Sequence, residues 1–354
     1  MAARIVIMAG GTGGHVFPAL AVAQELRDRG WEVSWLGTPD SFESRTVPQY
    51  GFEISTIDSF RLRGQNIFSL VFAPSKLLRA IWQALAVLRA KKPDVVLGMG
   101  GFATGPGGIA AGLLALPLVI HEQNAIPGMT NRWLSKIADR VLEAFPGSFK
   151  PSANAIETGN PVRSDIEASQ RAPSDNEPLK VLVIGGSLGA VALNERLPET
   201  FGLIEQEQRP LIRHQAGRNK LDATVSAYAE ADVDAEVTEF IDDMAEAYQW
   251  ADLMICRAGA LTVSELAIAG MPAVLVPFPH AVDDHQTKNG SFLVDKGAAL
   301  LIQQNELNAS LLADQIKVLT NDRQKLRDMA EAAAALARPQ ATQMVADYCV
   351  EVAA

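Results

Sequence analysis

A short apolar run, residues 4–9, is followed by the glycine-rich turn Gly10-Gly11-Thr12-Gly13-Gly14-His15 and an amphipathic stretch to about residue 29, and the same succession returns at Lys180. There the apolar run 181–184 enters Gly185-Gly186-Ser187-Leu188-Gly189 and a second helical pattern. Strand, turn and helix in that order open a βαβ unit, and a series of such units makes a parallel sheet covered by helices on both faces. Further strands are expected at 32–36, 53–57, 94–99, 117–121 and 140–143, then at 236–241, 253–256 and 273–276. Pro18 is expected in the first turn of the first helix, where a missing N–H costs little. The fold class is thus α/β, with two doubly wound parallel-sheet domains, and 354 residues suit two domains of ordinary size.

Between the halves, Gly159-Asn160-Pro161 gives way to a polar, Pro- and Ser-bearing stretch at 164–180 that reads as a linker. The expected division is 1–161 joined by a C-terminal helix at 338–354, and 162–337. A net charge of -10 argues against a nucleic-acid partner, because nothing offsets repulsion from phosphates. Cys256 and Cys349 show no metal or CxxC spacing and read as reduced cytosolic thiols. No signal peptide precedes the first strand, and the longest apolar run, 109–120, is interrupted by Gly and Pro and too short to span a bilayer. A soluble or peripheral protein is expected.

Within 251–289 a strand (253–256) turns through Arg257-Ala258-Gly259-Ala260 into a helix whose first turn carries Thr262, Ser264 and Glu265, and a second strand ends in Pro277-Phe278-Pro279-His280. In an open parallel sheet, ligands sit beyond the carboxyl ends of the strands, and a helix start there offers N–H groups to an anion. Glu265 suits a ribose diol; the alternative is an N-terminal capping box with Thr262 as cap. Glycines 10–14 let backbone approach a ligand closely, but no dinucleotide fingerprint or P-loop is present. His15 beside them suits proton transfer or a diphosphate. Gly185 to Gly189 matches the nucleophile elbow GxSxG, so a serine hydrolase using Ser187, with His280 or His285 downstream, is an alternative. A serine at a helix start equally suits a phosphate, and a turn that opens the second of two domains favours that use. His121-Glu122-Gln123-Asn124 ends a strand in four polar groups, a costly composition unless they bind a ligand or each other. Asp232-Val233-Asp234 precedes its strand and reads as a solvated turn; no metal set is recognised.

Residues 61–92 break the acidic trend, with Arg61, Arg63, Lys76, Arg79, Arg89, Lys91 and Lys92 and no Asp or Glu. Apolar residues interleave with them, among which Phe68, Phe72 and Trp82 are candidates to face an anionic membrane surface.

Taken in order, Gly10 to His15 with Pro18, Gly98-Met99-Gly100-Gly101, His121 to Asn124, Gly159-Asn160-Pro161-Val162-Arg163, Gly185-Gly186-Ser187, Thr238-Glu239-Phe240-Ile241 and Arg257 to Glu265 resemble glycosyltransferase family 28, bacterial cell-wall transferases that add N-acetylglucosamine to a lipid-linked muramoyl-pentapeptide. The resemblance spans nearly the whole chain. It implies a GT-B fold, two Rossmann-like domains facing a central cleft, and an inverting, metal-independent transfer from UDP-GlcNAc, without cofactor, to lipid I at the cytoplasmic face of the inner membrane. Carried over by position, Ile241 would meet the uracil and Glu265 the ribose. Ser187, Arg163 and the helix start Ala260, Leu261, Thr262, Val263 and Ser264 would hold the diphosphate. Asn124 and Gln286 would contact the sugar, and Thr12, Gly13 and Gly14 would face the acceptor's diphosphate. His15 is the first choice of base, with Glu122 the other. A UDP-sugar epimerase of the same architecture is a further alternative. Leu188 and Gly290 depart from the family's usual glutamine and alanine.

Overall fold

In the computed structural model, described for residues 2–58, 73–166, 177–186 and 189–354, the chain divides into two compact units, Met1–Arg163 with Pro339–Ala354, and Ser164–Arg338. The first unit is built on β1 (Arg4–Met8), β2 (Glu32–Gly37), β3 (Glu53–Thr56), β4 (Val95–Gly98), β5 (Leu118–Glu122), β6 (Arg140–Glu143) and β7 (Ile156–Glu157), in the order β3-β2-β1-β4-β5-β6-β7. The second has β8 (Lys180–Ile184), β9 (Leu211–Gln215), β10 (Glu236–Thr238), β11 (Leu253–Cys256), β12 (Ala273–Leu275) and β13 (Ala299–Leu301), in the order β10-β9-β8-β11-β12-β13. All pairings are parallel, so both units are the doubly wound sheets that the alternating pattern implies.

In each sheet the chain works outward from the first strand, then returns to its other side. That reversal falls between β1 and β4 in one unit and between β8 and β11 in the other. Met8 is level with Gly98, and Ile184 with Cys256, so the turns that follow these strands emerge side by side. Successive helices depart to opposite faces there and leave a crevice at the carboxyl edge. The glycine-rich turns sit at these two reversals.

Alternation along β1 shows why its run is apolar throughout: Ile5 and Ile7 face one core, and Val6 and Met8 the other. The first core is closed by the helix Gly13–Asp28 and by the last helix, Ala341–Ala353, which buries Val345, Ala346 and Cys349. Exposed pairs, Arg29–Asp347 at 2.5 Å and Arg140–Glu351 at 2.6 Å, also tie that helix down, but each contributes little beside the buried side chains. Pro18 is the sixth residue of its helix, not a first-turn residue, so Gly14's carbonyl lacks its usual donor four residues on. Three strands, β7, β9 and β13, escape the sequence pattern. In β9 the apolar run is broken by Arg213 and His214, yet His214 is fully buried, held by the Tyr228 hydroxyl at 2.9 Å and Asn194 Oδ1 at 3.1 Å.

This burial has a measurable consequence. Desolvation lowers His214 to about 3, and, in the other unit, burial chiefly lowers His121 to about 4. Both are neutral when folded, whereas an unfolded histidine titrates near 6.5. The unfolded state therefore binds more protons below that pH, and stability is lost as pH falls, through about 4 for His121 and about 3 for His214. Each histidine contributes about 1.4 kcal/mol per pH unit, or about 2 kcal/mol between pH 6.5 and 5. Denaturant melts at pH 7 and pH 5 should show this loss, and His214→Gln should flatten the slope of the second unit. An unchanged slope in that variant would remove His214 from the account.

Candidate functional site

At the β1/β4 reversal two glycine turns interlock. Gly10 N–H donates to the Gly100 carbonyl at 3.2 Å, and a Cβ on Gly101, whose φ is +93°, would lie 2.5 Å from the Gly10 oxygen. At Gly100 a Cβ would meet the His15 ring, 2.8 Å from Nδ1, so the imidazole rests on bare backbone. Sequence reasoning missed the third member of this cluster, Glu43, which is buried beneath the turn. Its Oε2 accepts from Gly11 N–H at 2.9 Å, and its Oε1 from the Thr38 amide and hydroxyl at 3.1 and 2.7 Å. Burial alone would raise this carboxyl; the donors at Gly11 and Thr38 outweigh it and hold Glu43 below the usual carboxylate range. Gly11 N–H is thereby committed to a carboxylate. Thr12 is the N-cap of the helix Gly13–Asp28 without a side-chain capping bond, so at this helix start the Gly13 and Gly14 amides are open to an anion.

The polar end of β5 resolves into two networks. In the first, His121 Nε2 lies 3.0 Å from the Gly159 carbonyl, Gln123 Nε2 lies 3.1 Å from His121 Nδ1, and Gln123 Oε1 lies 2.8 Å from His15 Nδ1. In the second, the Glu122 carboxylate, 2 % exposed, accepts from the Asn124 backbone and side-chain amides at 3.0 and 3.2 Å, from Gly128 N–H at 3.1 Å and from Asn131 Nδ2 at 2.9 Å. Four donors saturate Glu122. These bonds tie the loop 123–131 to the strand end and orient Asn124. Asn160, next to Gly159, is buried with neither amide atom partnered among the described residues, a rare state that marks it as another group the motif reading left without a role. Arg163, half-buried, ends the first unit.

At the β8/β11 reversal, Ser187 and Leu188 lie outside the described residues. Around them, Gly189 N–H donates to the Gly186 carbonyl at 2.8 Å, and a Cβ on Gly189 would lie 2.0 Å from the Ala216 oxygen. Opposite, the helix Ala260–Ala269 is capped by Gly259 and not by Thr262. Glu265 therefore forms no capping box; it is buried and accepts from the Tyr248 hydroxyl at 3.1 Å. Within the expected phosphate-binding stretch the roles divide. Val263 N–H is used on the Gly259 carbonyl with its side chain in the core, and the Ser264 hydroxyl donates to the Ala260 carbonyl at 3.0 Å. That leaves the Ala260, Leu261 and Thr262 amides, with no acidic residue in the first turn to oppose an anion. Arg257 donates to the Val276 and Pro277 carbonyls at 3.0 and 3.1 Å and to Gln304 Oε1 at 2.6 Å, which fixes the loop after β12. Gln286 Oε1 accepts from Phe278 N–H at 2.8 Å on the same loop. Ile241 follows β10, which ends at Thr238, earlier than expected, and is half-buried.

Of the basic, apolar stretch, residues 61–72, including Phe68 and Phe72, lie outside the described residues. The helix Ala73–Lys91 buries Ala80, Ala84 and Leu88 and turns Leu78 and Trp82 outward, Trp82 being 73 % exposed. It packs on the helix Thr104–Leu113, which also contacts the helix Met129–Leu134. Leu113 and Trp133 on those helices are exposed too, with Lys136 Nζ 4.3 Å above the Trp133 ring. No helix among the described residues is long and apolar enough to cross a membrane.

Set beside known proteins, residues 5–143 match the glycosyltransferase family 28 N-terminal domain and residues 180–345 the family 28 C-terminal domain. The chain belongs to glycosyltransferase family 28. A Marinobacter nauticus relative, 54% identical over 99% of this chain and 98% of its own length, is named UDP-N-acetylglucosamine–N-acetylmuramyl-(pentapeptide) pyrophosphoryl-undecaprenol N-acetylglucosamine transferase. The crystal structure of Acinetobacter baumannii MurG, 45% identical, superposes with a TM-score of 0.85 over 99% of both chains. A kitacinnamycin glycosyltransferase, at 18% identity and a TM-score of 0.75 over both full chains, shares the fold alone. The family 28 match runs through both glycine turns and both reversals.

Proposed function

We propose that this chain is an N-acetylglucosaminyl transferase that moves the sugar from UDP-GlcNAc to the C4 hydroxyl of undecaprenyl-diphospho-MurNAc-pentapeptide, lipid I, giving lipid II for peptidoglycan synthesis. The observation that carries this is full-length likeness, at 54% identity, to a transferase of that name. The same likeness favours transfer over hydrolysis at Ser187 or epimerisation of the donor.

The roles assigned to the residues follow from that likeness and, for His15, Glu265 and the helix Ala260–Ala269, from their surroundings. His15 Nε2 is the base. An imidazole nitrogen with an open lone pair suits proton removal from a hydroxyl. As the C4 oxygen bonds to the anomeric carbon, the bond to UDP breaks and its electron pair leaves with the diphosphate; one displacement inverts α to β. The Ala260, Leu261 and Thr262 amides, with Arg163 and Ser187, receive that charge, and a helix start aimed at a leaving oxyanion stabilises it without reorganisation. Glu265 takes the ribose hydroxyls, its carboxylate already oriented by Tyr248. Asn124 and Gln286 face the sugar, Ile241 the uracil, and Thr12, Gly13 and Gly14 the acceptor's diphosphate. Transfer of labelled sugar from UDP-GlcNAc to a short-chain lipid I analogue, with and without EDTA, tests donor, acceptor class and metal independence together. Intact donor in both tubes would overturn the proposal, and activity lost only with EDTA would overturn its metal-free mechanism.

The exposed Leu78, Trp82, Leu113 and Trp133, with Lys136 above the Trp133 ring, give a peripheral enzyme its face toward anionic lipid at the cytoplasmic side of the inner membrane. Replacing Leu78 and Trp82 together by Glu should weaken sedimentation with phosphatidylglycerol vesicles by about tenfold to a hundredfold, since each apolar side chain, inserted part-way, contributes about half of the roughly 1.5–3 kcal/mol of full burial. The melting temperature should hold. Undiminished sedimentation would place the membrane face elsewhere.

A further inference from the structure

We propose that Gln123 and His121 are positioning residues that lock His15 in one tautomer, with the proton on Nδ1 and the lone pair on Nε2. This rests on His15 acting as the base, and it adds what holds the base ready before substrate arrives.

The direction of every hydrogen bond in the chain from Gly159 to His15 follows from its far end. A backbone carbonyl only accepts, so His121 Nε2, 3.0 Å from the Gly159 oxygen, must carry a proton. His121 is completely buried, which lowers its pKa to about 4, and the ring is neutral at working pH. A neutral ring with its proton on Nε2 has a lone pair on Nδ1. Gln123 must therefore turn its NH2 toward that nitrogen, at 3.1 Å. The His121 carbonyl, 3.3 Å from the same Gln123 nitrogen, demands the same orientation independently, because the reversed amide would set oxygen against oxygen. Gln123 is itself buried, so it has no solvent alternative. Its oxygen then faces His15 Nδ1 at 2.8 Å, and an amide oxygen only accepts. His15 Nδ1 carries the proton, and Nε2 is left to take another.

Gly100 completes the lock from below. The would-be Cβ position lies 2.8 Å from Nδ1 and 2.9 Å from Cε1, so the ring lies against backbone. A primary amide does not release its proton at neutral pH, so the chain orients His15 and does not conduct protons away from it. When the acceptor's C4 proton arrives on Nε2, the imidazolium keeps its Nδ1–H on Gln123, and no group in the chain needs to rearrange. The same proton must later leave from Nε2 to water or product for the next turnover.

The test separates this inference from the base assignment by reading the tautomer in the resting protein. With only five histidines in the chain, 15N-histidine NMR without substrate, assigned by loss of one set of signals in His15→Ala, reports which His15 nitrogen is protonated. The expected result is Nδ1–H in the native enzyme. Gln123→Met, which keeps length and loses all three polar contacts, should give a tautomer mixture and a kcat lower by about tenfold, the scale of one net hydrogen bond, with the KM for UDP-GlcNAc unchanged. His121→Asn retains an acceptor oxygen near the place of Nδ1, and should hold the tautomer and turn over several-fold faster than His121→Leu. Nε2–H in the native enzyme overturns the lock, as does an unchanged tautomer in both Gln123→Met and His121→Leu. Should Gln123→Met fail to fold, the native spectrum and the His121 pair still decide. Wild-type turnover in His15→Ala instead overturns the base assignment, whatever the tautomer.

Discussion

His15→Ala should lower kcat for sugar transfer by 10²- to 10⁴-fold, on the scale that a positioned general base contributes, while leaving the KM for UDP-GlcNAc near its native value. The separation of kcat from KM decides between the two uses of this residue. A histidine that only binds the acceptor's diphosphate would show its loss in the acceptor KM, with kcat restored at saturation. One that takes the C4 proton leaves a defect that saturation cannot repair. Folding should not confuse the outcome. His15 is half-buried in the first turn of its helix, and the ring rests on Gly100 without filling a core. Turnover of His15→Ala near wild type, at saturating concentrations of both substrates, would end the assignment. Glu122 would not inherit it, because its carboxylate oxygens are engaged by Asn124, Gly128 and Asn131.

The surroundings of His15 and Glu122 mark how far sequence alone reaches. Strands buried on both faces read as continuous apolar runs, so β1, β4, β5, β8 and β11 were legible, and with them the turns at their carboxyl ends. A polar tetrad ending β5 was legible as an anomaly. Which of its members faces a ligand and which serves a neighbour was not, because the partners come from Gly159, Asn131 and His15, remote in sequence from one another. Glu43 had no local signal at all: it reaches Gly11 from a five-residue helix 32 positions away. The Thr262 capping box, offered as the alternative to a ribose contact, does not form, for a simpler reason. Gly259 offers no side chain to recognise, while Thr262 and Glu265 have the letters of a capping box at the wrong phase of the helix. β9 was lost because a buried His214 looks polar until Tyr228 and Asn194 are seen to satisfy it.

Gly101→Ala should be the most damaging small substitution in the first unit, and Gly147→Ala provides its control. Both glycines have φ in the left-handed region, +93° and +82°. Alanine there costs on the order of 1–2 kcal/mol from the backbone alone. At Gly147 nothing lies within 4 Å of the new methyl, so that cost is the whole effect, and for a unit of this size it lowers the melting temperature by roughly 2–8 °C. At Gly101 the methyl would sit 2.5, 2.7 and 2.8 Å from the Gly10 oxygen, nitrogen and carbonyl carbon, all of them backbone with no rotamer to yield. Relief requires the two turns to part, which breaks the Gly10–Gly100 hydrogen bond, withdraws the surface under His15 and tugs on Gly11, held by Glu43. A loss above about 4 kcal/mol is expected, the range reserved for overpacking that the structure cannot absorb. Calorimetry of the two variants makes the comparison. If Gly101→Ala melts within a few degrees of Gly147→Ala, the turns are not interlocked as described, and the seat they give His15 is softer than its function as a base requires. If the gap is large, whatever folded protein can be recovered should transfer sugar slowly for the same reason that it is unstable: the strand-end turns that pack the sheet are also the ones that seat His15.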